Sequence, residues 1–192
     1  VDDTDFFYVL EKSLEGGVNI IQLREKSLNT KQFYERAIKT KSLCDQFKTP
    51  LIINDRLDIA LAIDASGLHI GQTDLPFEIA RKILGENKII GISISNQNQV
   101  IESNSTNVDY IGLSPIFSTK TKTSNLANPL GLKGLKKIRK LSNKPIISIG
   151  GIDKTNASEI KKNGSDGIAV ITAISKATDP KLATEELKSV FT

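Results

Sequence analysis

Three donor side chains stand two apart in Gln22-Leu23-Arg24-Glu25-Lys26. Alternate residues of an extended strand face the same way, so the spacing predicts that Gln22, Arg24 and Lys26 share one face and form an anion site. Farther on, the apolar run Leu51-Ile52-Ile53 delivers Asn54 and Asp55 to the end of a strand, and Gly67-Leu68-His69-Ile70 runs into Gly71-Gln72-Thr73-Asp74. Two carboxylates beside a cationic cluster suit Mg²⁺, which takes oxygen ligands octahedrally and keeps phosphate oxygens and waters among them. The competing role for each aspartate is a helix N-cap, and Asp74 stands just before Leu75-Pro76.

Three further segments carry donors for anions. Pro115 to Lys122 contains Thr119, Lys120, Thr121 and Lys122 and continues as a loop to about Asn128, a length that suits a lid over charged groups. Ile149-Gly150-Gly151-Ile152 and Ile171-Thr172-Ala173-Ile174 offer backbone N–H groups that small residues leave open to an oxyanion. Two anion sites at one mouth imply two phosphorylated substrates, or one with phosphates at both ends. His69, the only histidine, sits in an apolar strand and reads as a hydrogen-bonded packing residue. Cys44 has apolar helical neighbours and reads as buried and inert. No Ser-His-Asp or Cys-His set can be assembled, so covalent catalysis has no candidate.

What must position these groups is an alternation of β-rich and amphipathic segments from end to end, the pattern of βα units on a parallel sheet. The periodicity predicts strands at Ile20–Leu23, Leu51–Asn54, Gly67–Ile70, Ile89–Ile92, Tyr110–Leu113, Ile146–Ile149 and Gly167–Ile171. It predicts helices at Asp5–Glu15, Thr30–Phe47, Leu57–Ile63, Leu75–Leu84, Gln97–Glu102, Leu132–Leu141, Lys154–Asn163 and Pro180–Phe191. Asp153 is the expected N-cap of a helix that stops at Gly164, and Asp179 with Pro180 is the expected start of the last one. Eight helices with seven strands point to an α/β fold of the (β/α)8 TIM-barrel type, spanning residues 1–192 as a single domain. Its first strand is incomplete in this sequence, with Val1–Asp3 as its last residues. An open doubly wound sheet is the alternative, weakened by the lack of a Gly-rich phosphate loop after the first strand. In a parallel barrel the chemistry gathers at the C-terminal ends of the strands, where the candidate anion-site and metal-site residues above lie.

Length and composition agree. A chain of 192 residues with 39% apolar and 25% charged side chains is the profile of one globular domain, large enough to hold a core without staples. One cysteine and no apolar run of membrane-spanning length make the cytoplasm the expected location. The charge of +4 is spread among nearly as many acids, with 5% aromatic residues and no basic stripe, so nucleic acid is not an expected partner and small anions are. The lack of methionine suggests a processed terminus or a trimmed sequence.

The motifs Q-L-R-E-K (Gln22–Lys26), I-N-D-R (Ile53–Arg56), G-L-H-I-G-Q-T-D (Gly67–Asp74), D-Y-I-G-L-S-P-I-F with T-K-T-K (Asp109–Lys122), I-G-G-I (Ile149–Ile152) and the terminal I-T-A-I together resemble the thiamine phosphate synthase family. The resemblance implies a Mg²⁺-dependent transferase that joins 4-amino-2-methyl-5-pyrimidinylmethyl diphosphate to 4-methyl-5-(2-phosphoethyl)thiazole and releases pyrophosphate. It implies that Gln22, Arg24, Lys26, Asn54 and Lys122 hold the pyrimidine diphosphate, that Asp55 and Asp74 hold Mg²⁺, and that Ser93 lies near the pyrimidine. Thr119, Thr121, Gly151, Ile171 and Thr172 would contact the thiazole phosphate, with Lys26, Ser93 and Lys122 acting in the transfer itself. A homo-oligomer is compatible with this reading. The chain departs from the family pattern at Ser95, where many relatives have histidine, and at Ser114, Ser118 and Thr172. A thiazole tautomerase on the same barrel, and a barrel that binds thiamine phosphate without turnover, are the alternatives. Ser95 and the presence of Asp55 and the T-x-T-K segment disfavour the first.

Overall fold

Short β-branched runs bounded by proline, glycine or asparagine form the strands, and the register between them orders everything else. The computed structural model describes residues 3–119 and 128–192. In it β1 (Ile21–Leu23), β2 (Leu51–Asn54), β3 (Gly67–Ile70), β4 (Ile89–Ile94), β5 (Tyr110–Leu113), β6 (Ile146–Ile149) and β7 (Gly167–Ala169) form one parallel sheet in sequence order. Helices α2 (Thr30–Gln46), α3 (Leu57–Ala62), α4 (Phe77–Leu84), α5 (Gln97–Asn104), α6 (Gly131–Leu141) and α7 (Ala157–Lys162) connect successive strands. Helix α1 (Asp3–Glu15) precedes β1, while α8 (Thr172–Ser175) and α9 (Pro180–Phe191) follow β7. Among the described residues β1 and β7 do not pair, so the sheet has seven strands and the eighth of a full barrel is not seen. Outside it, α1 packs on α9 and joins the two ends of the helical layer.

The two faces of the sheet are chemically different. Leu51, Ile53, Leu68, Ile70, Ile90, Ile94, Ile111, Leu113 and Ile146 point outward and are buried with Phe33, Ala37, Val100, Leu135 and Ile138 of the helices. That layer is the core, and its removal from water is the main favourable contribution to folding. The inward positions alternate with these: Gln22 on β1, Asn54 on β2, His69 on β3, Ser93 on β4 and Tyr110 on β5. The register puts Asn54, His69, Gly91 and Tyr110 in one row, and Ser93, Gly112, Ile147 and Gly167 in another. Glycines at three inward positions leave room for neighbours: a Cβ at Gly91 would lie 2.1 Å from the Tyr110 ring, one at Gly112 2.9 Å from His69, and one at Gly67 2.0 Å from the Ile89 carbonyl oxygen.

Local signals explain most element ends and correct several expectations. Asn29 caps α2 with Gln32 in a capping box, so Thr30 is the first helical residue, as expected. Asp179 accepts from the Leu182 N–H at 3.0 Å with Pro180 at the first position of α9. Asp153 also makes the bonds of a cap: its carboxylate accepts from the Thr155 N–H, its carbonyl accepts from the Ala157 N–H, and the Asn156 side chain accepts from the Asp153 N–H, but a turn through Asn156 intervenes and the regular helix α7 begins only at Ala157. Asp3 lies in α1 rather than at the end of a strand. β7 ends at Ala169, short of the predicted Ile171, because Ile171 turns the chain into α8. That four-residue helix carries no apolar period long enough to be read in the sequence.

Candidate active site at the strand ends

The alternation expected through Gln22, Arg24 and Lys26 does not run that far. β1 stops at Leu23, so only Gln22 is placed by the strand, and its side chain lies near enough to the Tyr110 hydroxyl to pull the phenol down against the effect of burial. Arg24 and Lys26 are carried by the loop that follows and are exposed. Glu25 fixes that loop from below by an ion pair with the largely buried Arg36 of α2, whose guanidinium also pairs with Asp3 and lies 5.0 Å from the Phe6 ring. With Glu25 held inward, its neighbours are left to the mouth, and Lys26 reaches over to form an ion pair with Asp55.

Asp55 follows β2 with φ of 63°, a left-handed conformation that aspartate tolerates better than most residues, and its N–H donates to the His69 carbonyl at 2.8 Å. Asn54, just before it, is buried at the end of the strand. Asp74 does not cap α4, which begins at Phe77 after Pro76. Its carboxylate folds back to accept from the Gly71 N–H at 2.6 Å. There it lies against Asp55: burial first, then a hydrogen bond with Asp55, holds the Asp74 carboxyl above the usual carboxylate range, with Lys26 and the Gly71 N–H pulling the other way. Among the described residues no third Asp, Glu, His or Cys joins the two.

A crowded carboxylate pair has a measurable cost. Because the folded Asp74 holds its proton more tightly than the unfolded chain does, its contribution is most favourable below the ordinary aspartate range and is lost as pH rises through the raised folded value. Asp74→Asn, which keeps an acceptor for Gly71, should therefore raise Tm by roughly 1–3 °C at neutral pH without divalent cations, after allowance for solvent screening, with little difference near pH 3. A thermal melt series across that range checks both the sign and the window.

The floor of the mouth is a hydrogen-bonded row. The His69 Nδ1 is 2.9 Å from the Tyr110 hydroxyl and the Nε2 is 2.9 Å from the Ser93 hydroxyl, while the Gln72 amide donates to the Ser93 carbonyl at 2.7 Å. Burial pushes the His69 ring down to about 4 and the Tyr110 phenol upward, so both are neutral at pH 7. His69 is thus a hydrogen-bonded interior residue, as its sequence setting suggests. Tyr110 and Gln72 were not singled out from sequence, although Tyr110 alternates with Gly112 on the face that carries His69. Cys44 is buried and its thiol is pushed up to about 12, in keeping with an inert residue. The Ser95 N–H donates to the Gln99 side chain, and the Ser95 hydroxyl lies 3.2 Å from the same oxygen, so this side chain is occupied by the start of α5.

The far side of the mouth is built by loops tied together. The Ile116 N–H donates to the Ile149 carbonyl and the Phe117 N–H to the Gly150 carbonyl, and Gly150 and Gly151 have φ of 103° and 64°. A Cβ at Gly151 would come within 2.7 Å of the Ser118 carbonyl oxygen, so the backbones touch because glycine is there. Thr119 is the last residue described before the gap, and Thr121 and Lys122 lie outside the described residues. Ile171 and Thr172 open α8 and are exposed, with the first N–H groups of that helix free of intrahelical partners.

A parallel βα sheet with carboxylates, cations and glycine-bounded amides gathered at its C-terminal strand ends has the class of architecture in which barrel enzymes carry their active sites. A family model described as thiamine monophosphate synthase matches residues 1–174. The chain is 44% identical over 190 residues to a thiamine-phosphate synthase of Methanobrevibacter smithii, covering 99% of this chain and 90% of that protein. It is 47% identical over 179 residues to one of Vibrio campbellii, covering 93% and 87%. The solved structure of a thiamine phosphate pyrophosphorylase from Pyrococcus furiosus superposes with a TM-score of 0.87 at 38% identity, over 96% of this chain and 88% of that one. The chain belongs to the thiamine monophosphate synthase family. No helix among the described residues is long and apolar enough to cross a membrane.

Proposed function

We propose that the strand-end site is the active site of a thiamine-phosphate synthase that joins 4-amino-2-methyl-5-pyrimidinylmethyl diphosphate to 4-methyl-5-(2-phosphoethyl)thiazole. The observation that carries this reading is the meeting of Lys26, Asp55 and Asp74 at one mouth, with exposed Arg24 beside them and the Gly150-Gly151 turn opposite. Gln22, Arg24, Lys26 and Asn54 hold the pyrimidine diphosphate, with Lys122 as the contribution of the loop after β5. Thr119, Thr121, Gly151, Ile171 and Thr172 hold the thiazole phosphate. Family membership supports this assignment, and the separation into a cationic side and an amide-lined side supports two anions rather than one.

In this reading the rate comes from charge and placement. The C–O bond between the pyrimidinylmethyl carbon and the diphosphate breaks, the thiazole nitrogen bonds to that carbon, and pyrophosphate takes the electron pair. Lys26 and Arg24 stabilise the negative charge that develops on the leaving group, and the second anion site holds the thiazole so that its nitrogen faces the carbon. No proton has to be removed from the nucleophile, which fits an interior whose histidine and tyrosine are neutral and buried.

Asp55 and Asp74 fit a divalent cation on their own chemistry: two hard oxygen donors pressed together, one of them held above its usual range by the other, with a single lysine between them. We assign them to Mg²⁺, which when bound supplies charge neutralisation to the diphosphate. Lys26 would then be released from its ion pair with Asp55 and become available to the substrate.

Pyrophosphate release on mixing the two phosphorylated substrates with Mg²⁺ tests the reading. Release that depends on both substrates and on the cation is expected. No release by folded protein would overturn it, and isomerisation of a thiazole carboxylate phosphate without pyrimidine would favour the tautomerase instead.

A further inference from the structure

The interior row contains more order than substrate contact requires. A neutral imidazole has one N–H donor and one lone pair, so the two hydrogen bonds of His69 cannot be of the same kind. In one arrangement the Tyr110 O–H donates to Nδ1 and the Nε2–H donates to the Ser93 oxygen. In the other, the Ser93 O–H donates to Nε2 and the Nδ1–H donates to the tyrosine. The choice fixes what Ser93 presents to the mouth. In the first case its hydroxyl hydrogen is free and one lone pair remains; in the second the hydrogen is consumed and only lone pairs face outward.

Two features favour the first arrangement. A phenol is the more acidic of the two hydroxyls and so the better donor to a ring lone pair, and the nearby Gln22 side chain holds the phenol below where burial alone would put it, the effect of an amide N–H facing its oxygen. The row is also held in place rather than adventitious. Tyr110 and His69 fill space left by Gly91 and Gly112, their rings lie 5.5 Å apart, and the Gln72 amide pins the Ser93 backbone.

We propose that His69 is a positioning residue whose Nε2–H, set by the Tyr110 hydroxyl on Nδ1, aims the Ser93 hydroxyl as a donor into the mouth. A donor with one lone pair beside it complements a ring nitrogen next to an exocyclic amine, the edge that a 4-aminopyrimidine offers. The same edge would be refused by a ring bearing an N–H and a carbonyl there, because donor would face donor and lone pair would face lone pair. The specificity part of this inference rests on the synthase reading above; the tautomer part does not.

His69 is the only histidine in the chain, so imidazole ¹⁵N spectra of the labelled protein contain one ring. The wild-type protein without ligands should show a protonated, pyrrole-type Nε2 and a pyridine-type Nδ1; the reverse pattern overturns the proposal whether or not the protein is a synthase. Tyr110→Phe, which removes only the hydroxyl, takes away the donor that holds Nδ1 as an acceptor, so the Nε2–H form should cease to be the single species and calorimetric binding of the pyrimidine diphosphate should weaken about fivefold, the loss expected for one misaimed neutral hydrogen bond. Binding of the thiazole phosphate should not change. A spectrum and both affinities unmoved by Tyr110→Phe, or equal loss for the two ligands, would overturn the relay. His69→Gln, whose amide N–H can replace the Nε2–H, should recover pyrimidine affinity that His69→Leu loses in equally folded protein; equal affinities in the two variants would also overturn it. Failure of pyrophosphate release in the wild type, with the Nε2–H pattern present, would sink the synthase reading and leave the relay intact.

Discussion

Asp55→Asn should lower the rate of pyrophosphate release at saturating substrates by roughly 10²- to 10³-fold, the scale of losing one preorganised electrostatic contact at developing charge. Asparagine is the informative replacement because Asp55 sits at φ of 63°, where alanine would add backbone strain of its own. The substitution removes one carboxylate of the pair and the partner of Lys26, but keeps the N–H that donates to the His69 carbonyl. Circular dichroism and Tm should therefore stay close to the wild type while turnover falls. Lys26→Ala should fall by a similar factor, since the proposed site loses one of the cations assigned to the leaving diphosphate. Rates within tenfold of wild type for both variants would remove these residues from the assigned roles.

The largest structural effect is expected at Gly67→Ala. A methyl group there would sit 2.0 Å from the backbone carbonyl oxygen of Ile89, at the first pair of the β3–β4 register, and a backbone atom cannot turn aside as a side-chain tip can. Relief requires the two strands to shift, which disturbs the row holding His69 as well as the outward layer. The cost should be about 3 kcal/mol, the upper end for inserting one carbon into a packed site, and should lower Tm by roughly 6–12 °C in a domain of this size. Urea unfolding at constant m-value measures it. A change below about 0.5 kcal/mol would show that the pairing gives way without strain.

These two positions also mark what could be read from residues alone. The strands at Leu51–Asn54, Gly67–Ile70, Tyr110–Leu113 and Ile146–Ile149 were legible to the residue because dense apolar, β-branched runs are cut off by proline, glycine or a polar turn. Asp55 and Asp74 were legible as a pair because each follows such a strand. What was not legible depended on where strands stop and what lies opposite. The two-residue alternation suggested that Arg24 and Lys26 share a strand face, yet three residues of strand are followed by a loop pinned through Glu25 and Arg36. Asp153 makes its cap bonds as expected, but a turn through Asn156 delays the regular helix to Ala157, three residues later than the periodicity placed it. Tyr110 meets Gln22 across the sheet from a different strand, and no short-range spacing announces such a partner.

The division of each strand into outward core positions and inward polar ones has a consequence for how such a chain can change over time. Stability and chemistry are written on alternate residues of the same few segments, so selection can act on one set while the other is held. In the proposed site, exchanging Gln22 or Ser93 would alter which ring the mouth accepts while the outward Leu23 and Ile94 keep their packing. Under the synthase reading, the polar side chains at the mouth, rather than the packed glycines and aromatic ring of the inner row, are where substrate choice can change at least cost to folding.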